Sequence, residues 1–210
     1  VGEIVAMVIA QTRQRAVEAS ELIEVTYENL PAVVDPSKAI EPSAPQLWDI
    51  APGNVCLDFE LGNREKVDDI LSTAPLVITR EIINNRVTGV PIEPRGAIAQ
   101  YNAKDDKLLL WNSSQNIHSN RDAYANDILK VNKQSLHHVA PDVGGGFGVK
   151  NGTYPEPALI THAAKKLCCP IKWTADRSES FLSDTHGRDQ VQRHLSAVLD
   201  GISVCRCKVL

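Results

Sequence analysis

The stretch VAPDVGGGFGVK, residues 139–150, packs four glycines into the five positions Gly144–Gly148 and interrupts them with Phe147. Glycine serves where a chain needs φ > 0 or where another group approaches the main chain closely, and it carries an entropic cost in the unfolded state. Two readings follow from the residues. Either the loop joins a strand to a helix and tucks Phe147 into the core, or it forms a lip of backbone N–H groups that grips an anion or oxo group, with Phe147 as one wall of a pocket. Nucleotide loops are excluded. Lys150 is preceded by Val149 and followed by Asn151, so a P-loop fails on both sides, and a dinucleotide fingerprint begun at Gly144 meets Val149 where its third glycine is required.

Outward from the loop, Leu136–Val139 reads as a short strand and the segment from Gln115 to about Leu129 as a helix. On the other side, Thr153 and Glu156 have the spacing of a capping box and Pro155 fits a first turn. Ala158, Leu159, His162 and Ala163 continue that helix, which makes His162 a core or boundary residue. PIKWTA (170–175) reads as a strand and DRSESFLS (176–183) as a short helix. Strands are expected at Leu76–Ile83, Ala97–Tyr101 and Leu108–Trp111, with another at Val55–Phe59 before a helix capped near Asn63. The first 35 residues read as strand (Ile4–Ile9), helix after a Thr12 N-cap, and strand (Glu24–Tyr27). Asp35–Asn54 holds four of the twelve prolines and little periodicity, as a linker or long surface crossing does. The pattern is mixed α+β, without an internal repeat.

The 210 residues are 43% hydrophobic, enough for a substantial core, and the net charge of -4 comes from interspersed charges with few aromatics, which disfavours nucleic-acid binding. No apolar run reaches the roughly 20 residues of a membrane span, and nothing reads as a signal peptide, so a cytoplasmic protein is expected. Five cysteines without a CxxC pair match neither a zinc set nor an iron–sulfur set, and free thiols are expected. Cys205 and Cys207 share one strand face and read as packing residues. The six histidines have no metal-ligand spacing, and there is no GxSxG and no Ser-His-Asp arrangement for a hydrolase. The chain opens on Val1 and runs straight into an apolar strand pattern, while Ile202–Leu210 alternates and stops without turn or cap; a piece truncated at both ends of a larger fold is expected.

NNRVTGVPIEPRGAIAQY, LWNSSQNIHSNRD, VAPDVGGGFGVK and PIKWTADRSESFLSDTHGRD occur in the order and spacing of the molybdenum-binding subunits of the xanthine oxidase family of molybdenum hydroxylases. Within that family the chain resembles the large subunit of aerobic carbon monoxide dehydrogenase and its uncharacterised relatives. The resemblance spans essentially the whole chain. It implies that residues 1–35 are the end of a hammerhead domain, 36–54 a linker, and 55–210 the first part of a molybdopterin cofactor-binding domain. It also implies a molybdenum–molybdopterin cofactor, in the cytosine dinucleotide form, and an iron–sulfur subunit and an FAD subunit as electron-transfer partners in a hetero-oligomer. The implied reaction is oxidation of a small substrate (an aldehyde, N-heterocycle or carbon monoxide) with water-derived oxygen. A non-catalytic paralogue that keeps the fold to bind partner subunits is the alternative.

By the same resemblance, Gln115 hydrogen-bonds an oxo ligand of the metal, a task suited to a neutral amide donor; Gly145, Gly146, Phe147 and Gly148 border the cofactor; and Phe147 faces the substrate channel. Glu93 and Arg95 stand where the family has Met-Glu-Pro-Arg, and are either a mutually salt-bridged pair beside Pro94 or channel residues. Lys150 reads as a solvated or locally paired charge, and Asp176–Arg177 and Arg188–Asp189 as mutual pairs or catalytic groups. Asn151 replaces the glutamate by which xanthine-type enzymes hold purine, which argues against xanthine. The family's general-base glutamate belongs to a C-terminal half, no carboxylate here matches it, and the 210-residue piece alone is expected to be inactive.

Overall fold

The computed structural model describes residues 2–199 and 202–209. They form two compact units, one within Val1–Met7 and Val87–Gly187, the other within Val8–Arg86 and Arg188–Leu210. Regular structure begins with α1 (Arg13–Ser20), where the Thr12 side chain accepts from the Arg15 N–H as the expected N-cap. The run Ile4–Ile9 is not a strand, and neither are Glu24–Tyr27 and Val55–Phe59. Val5 is 59% exposed and Phe59 73%. Apolar runs become strands only when a neighbour completes their hydrogen bonds, and no described strand pairs with these three. Within the expected linker, Asp35 caps a single turn, α2 (Pro36–Ala39), and Asn54 ties the crossing together by donating to the Ala39 and Pro45 carbonyls.

In the second unit, α3 (Arg64–Thr73) starts at Asn63, whose side chain accepts from the Lys66 N–H, and buries Ile70. It packs on an antiparallel sheet of order β1 (Val77–Asn84), β6 (Gln190–Leu199), β7 (Ile202–Val209). The last of these strands was legible as alternation, although Leu210 lies outside the described residues.

The first unit holds β2 (Gly96–Asn102), β3 (Lys107–Asn112), β4 (Leu136–Val139) and β5 (Ile171–Thr174) in the order β4-β3-β2-β5, with only the β3–β4 pair parallel. Along β2 and β3, Ala97, Ala99, Leu108 and Leu110 alternate inward against Ile160, Ala163 and Ala164 of α5 (Pro155–Leu167). Alanine at the facing positions lets helix and sheet approach closely, so few large side chains are needed. The segment expected as one helix from Gln115 is α4 (Ile117–Asp122) followed by a π-helical turn, Ala123–Ile128. His162 is exposed rather than in the core, because α5 turns Thr161 and Ala163 inward instead.

The capping box expected at Thr153 and Glu156 does not form. Tyr154 is the N-cap residue and its side chain makes no capping bond, since Glu156 is buried and committed to Arg95. A complete capping box exists instead at α6 (Arg177–Ser183), where Asp176 and Glu179 exchange bonds with each other's backbone. No helix is long and apolar enough to cross a membrane among the described residues.

Candidate functional site

β4 delivers the chain into the glycine loop, and the segment after β3 brings Gln115 beside it. The Gln115 side-chain oxygen accepts from the Gly148 N–H at 3.0 Å and the Lys150 N–H at 3.2 Å, while its own backbone N–H donates to the Lys150 carbonyl at 2.9 Å. Two backbone donors require the amide oxygen at that end, which settles the flip of the side chain. The N–H2 end of Gln115 therefore points away from the loop, with no partner among the described residues.

Glycine is required at Gly146 by contact. A Cβ there would overlap the Gln115 side chain. Gly145 and Gly148 have φ of 96° and 87°, a region costly for other residues. Phe147 adopts φ 50° despite its ring and is 75% exposed, so it is not tucked into the core. That backbone costs about 1–3 kcal/mol, and such strain gathers at ligand sites. The N–H groups of Gly146 and Phe147 have no partner among the described residues. The loop thus offers backbone and amide donors with no cation among them. Among the described residues no group of three His, Cys, Asp or Glu is placed to hold a metal ion directly.

Glu93 anchors the loop from behind. One carboxylate oxygen accepts from Gly144 N–H at 2.8 Å, Ser113 Oγ at 2.7 Å and Lys150 Nζ at 2.7 Å. Burial alone would raise this carboxyl, but the bonds from Lys150, Ser113 and Gly144 outweigh it and hold the group below its ordinary value. Lys150 is not solvated: its side chain is 0% exposed and Glu93 is its ion partner. No period or motif reveals this pairing in advance, nor the roles of Ser113 and Tyr154.

Glu93 and Arg95 do not pair with each other. Arg95 lies buried under the sheet end, donating to both Glu156 oxygens at 2.8 and 2.9 Å, to Asp184 at 2.6 Å and to Ser183 Oγ at 2.8 Å. Its guanidinium also stacks 3.8 Å from the Tyr154 ring centroid. Burial would lower its pKa; Glu156 and Asp184 overcome this and raise it. Arg95 is therefore placed inside the scaffold and away from the exposed ring of Phe147. The expected pairs Asp176–Arg177 and Arg188–Asp189 are also absent. Asp176 caps α6, Arg177 donates to the carbonyls of Pro91 and Ile92, and Asp189 pairs with Arg86.

Residues 47–201 match the family described as molybdopterin cofactor-binding domain. The chain is 36% identical over 220 residues to the carbon monoxide dehydrogenase large chain of Afipia carboxidovorans, covering 98% of this chain and 27% of that one. It is 34% identical over 207 residues to the gamma subunit of the 6-hydroxypseudooxynicotine dehydrogenase complex of Paenarthrobacter nicotinovorans, covering 95% and 24%. The solved structure of reconstituted CO dehydrogenase from Oligotropha carboxidovorans superposes with a TM-score of 0.85 at 32% identity, over 94% of this chain and 26% of that one. The chain spans about a quarter of the length of the curated relatives it matches.

Proposed function

This chain belongs to the molybdopterin cofactor-binding domain family, and from that premise we propose that it forms the loop-bearing part of a molybdenum hydroxylase, an oxidoreductase that oxidises a small neutral substrate with water-derived oxygen. The observation that carries the reading is the orientation of Gln115. Its oxygen is held by Gly148 and Lys150 N–H groups, so its N–H2 is presented outward as a neutral donor toward an oxygen ligand. The residues fit the group. The missing Cβ at Gly146 leaves room for Gln115, and the unpartnered N–H groups of Gly146 and Phe147 add donors without introducing a titrating charge.

When bound, the molybdenum–pterin group supplies oxygen transfer and two-electron redox chemistry. The protein's part in this segment is positioning. Gln115 and the Gly145–Gly148 backbone would border the cofactor once it is bound, and the ring of Phe147 would form an apolar wall of the substrate approach. Glu93, with three donors on one oxygen, holds the loop. Arg95 holds the scaffold beneath and is not a channel residue. We further propose the cytosine dinucleotide form of the cofactor, an iron–sulfur subunit and an FAD subunit as partners in a cytoplasmic hetero-oligomer, and an aldehyde, N-heterocycle or carbon monoxide as substrate. The names of the relatives support that range. In the domain proposal, residues 1–35 close a hammerhead domain, 36–54 link it, and 55–210 open the cofactor-binding domain.

The test uses the full-length protein expressed with its partner subunits. Molybdenum should be near stoichiometric in the unaltered protein. Gln115→Ala should retain the metal and lower turnover by about 100- to 1000-fold, as loss of one charge-stabilising donor does; Phe147→Ala should chiefly raise KM. Metal retained with turnover unchanged in both variants would refute the site, and a folded protein without metal would favour a non-catalytic binding role.

A further inference from the structure

The edge of the β1-β6-β7 sheet carries a group of side chains that the cofactor site does not use. In the register of β6 and β7, His194 stands opposite Cys207 and Ser196 opposite Cys205, so the imidazole and both thiols share one face. The ring lies between the sulfurs. Cys207 Sγ is 3.5 Å from His194 Nε2, and Cys205 Sγ is 3.9 Å from Nδ1. Both cysteines are exposed, which overturns their reading as packing residues. Because the thiols address different nitrogens of one ring, the three groups do not converge on a point as ligands of one metal ion would.

The tautomer follows from a neighbour. His194 Nε2 is also 3.3 Å from Gln192 Oε1, and the Gln192 amide is oriented by its Nε2 donating to Gln190 Oε1 at 3.4 Å. An oxygen acceptor at Nε2 places the proton there and leaves Nδ1 bare toward Cys205. Nδ1 can then take the Cys205 proton, and Nε2–H can donate to the sulfur of Cys207. Arg80 of β1 faces His194 across the sheet. On the opposite face, Arg206 pairs with Asp68 of α3 and Arg193 with Glu81, while Lys208 stands opposite Arg193.

The other exposed cysteines supply the contrast within the same chain. The Cys168 thiol donates to the Lys165 carbonyl at 3.6 Å, and Cys56 and Cys169 have no base beside them among the described residues. We propose that Cys205 and Cys207, sharing His194, form a reactive thiol site that small soft electrophiles such as hydroperoxides modify. The balance is simple. The thiol proton passes to the imidazole, the thiolate attacks one peroxide oxygen as the O–O bond breaks, sulfur is oxidised to sulfenic acid, and the departing oxygen leaves as water or alcohol after taking up that proton.

The experiment is timed alkylation of the full-length complex with limiting iodoacetamide at pH 7, each cysteine quantified by peptide mass spectrometry. Here an S–C bond forms as iodide leaves. Cys205 and Cys207 together should react about fivefold faster than Cys56 and Cys169, a modest factor because nucleophilicity falls as thiolate fraction rises. His194→Gln should remove that advantage while the rates at Cys56 and Cys169 stay unchanged, which also checks that the variant folds. Cys207→Ser should leave Cys205 faster than Cys169. Equal rates in the unaltered protein, protection of the pair, or an advantage that survives His194→Gln would each overturn the proposal.

Discussion

Glu93 and Arg95 are two residues apart on one turn of chain, yet they anchor different structures by different means. Glu93 is partly exposed and gathers three donors on one oxygen to hold a loop. Arg95 is 3% exposed and spends four hydrogen bonds on Glu156, Asp184 and Ser183 to hold helices α5 and α6 against the sheet end. Each anchor would fail in a different place. A buried cation between two buried carboxylates is tied to global stability, whereas a half-exposed carboxylate behind a glycine loop is tied to local geometry.

The largest effect should come from Arg95→Met. It strands the Glu156 and Asp184 carboxylates in the interior, and breaking a buried charge cluster from one side costs about 3–5 kcal/mol. Denaturant unfolding of the full-length protein should show that loss in midpoint; a change below about 1 kcal/mol would erase the distinction between the two anchors. A smaller and asymmetric effect is expected at the other one. Glu93→Ala leaves the wholly buried Lys150 ammonium without its ion partner and should cost about 3 kcal/mol, while Lys150→Met leaves Glu93 two donors and some solvent and should cost about 1 kcal/mol. Hydrogen exchange at the Gly144 and Gly148 amides should speed up in both variants, but not in Arg95→Met under conditions where that variant remains folded.

Acid gives the smallest and most selective test. The Glu93 carboxyl is held below its ordinary value of 4.5 in the folded protein, so the unfolded chain binds its proton first as pH falls. Its contribution is therefore full above pH 4.5, declines below it and is lost once pH falls through the folded value. Exchange at Gly144 should rise in that window, and Lys150→Met should move the rise to higher pH. An acid response of the loop that Lys150→Met leaves unmoved would break the assignment of Glu93 as its anchor.

Much of this architecture was legible because it is local. Thr12 and Asn63 announce their helices by side chains that reach only three residues along the chain. Val77–Asn84 shows its strand by β-branched content, and the glycine loop shows its exceptional backbone by composition. What was hidden depends on partners distant in sequence. Glu156 looked like a capping residue until Arg95, 61 residues earlier, claimed it. Lys150 looked solvated because nothing nearby names Glu93, 57 residues away. The apolar runs at Ile4–Ile9 and Val55–Phe59 carry strand composition without specifying a neighbour to pair with. Gln115 was singled out by resemblance alone; the direction of its amide could be read only from two backbone N–H groups in the folded loop.

Tyr154 gives the two anchors a mechanical link. Its ring covers the Arg95 guanidinium, its hydroxyl donates to the carbonyl of Val149 and accepts from the Thr185 N–H, and its own N–H is held by the Tyr124 hydroxyl. Val149 immediately precedes Lys150, so a shift in the scaffold travels through one phenol to the base of the loop. The energies of substitutions at Arg95 and Lys150 should consequently fail to add, and Tyr154→Phe, which keeps the ring and deletes the tether, is the background in which they would become independent.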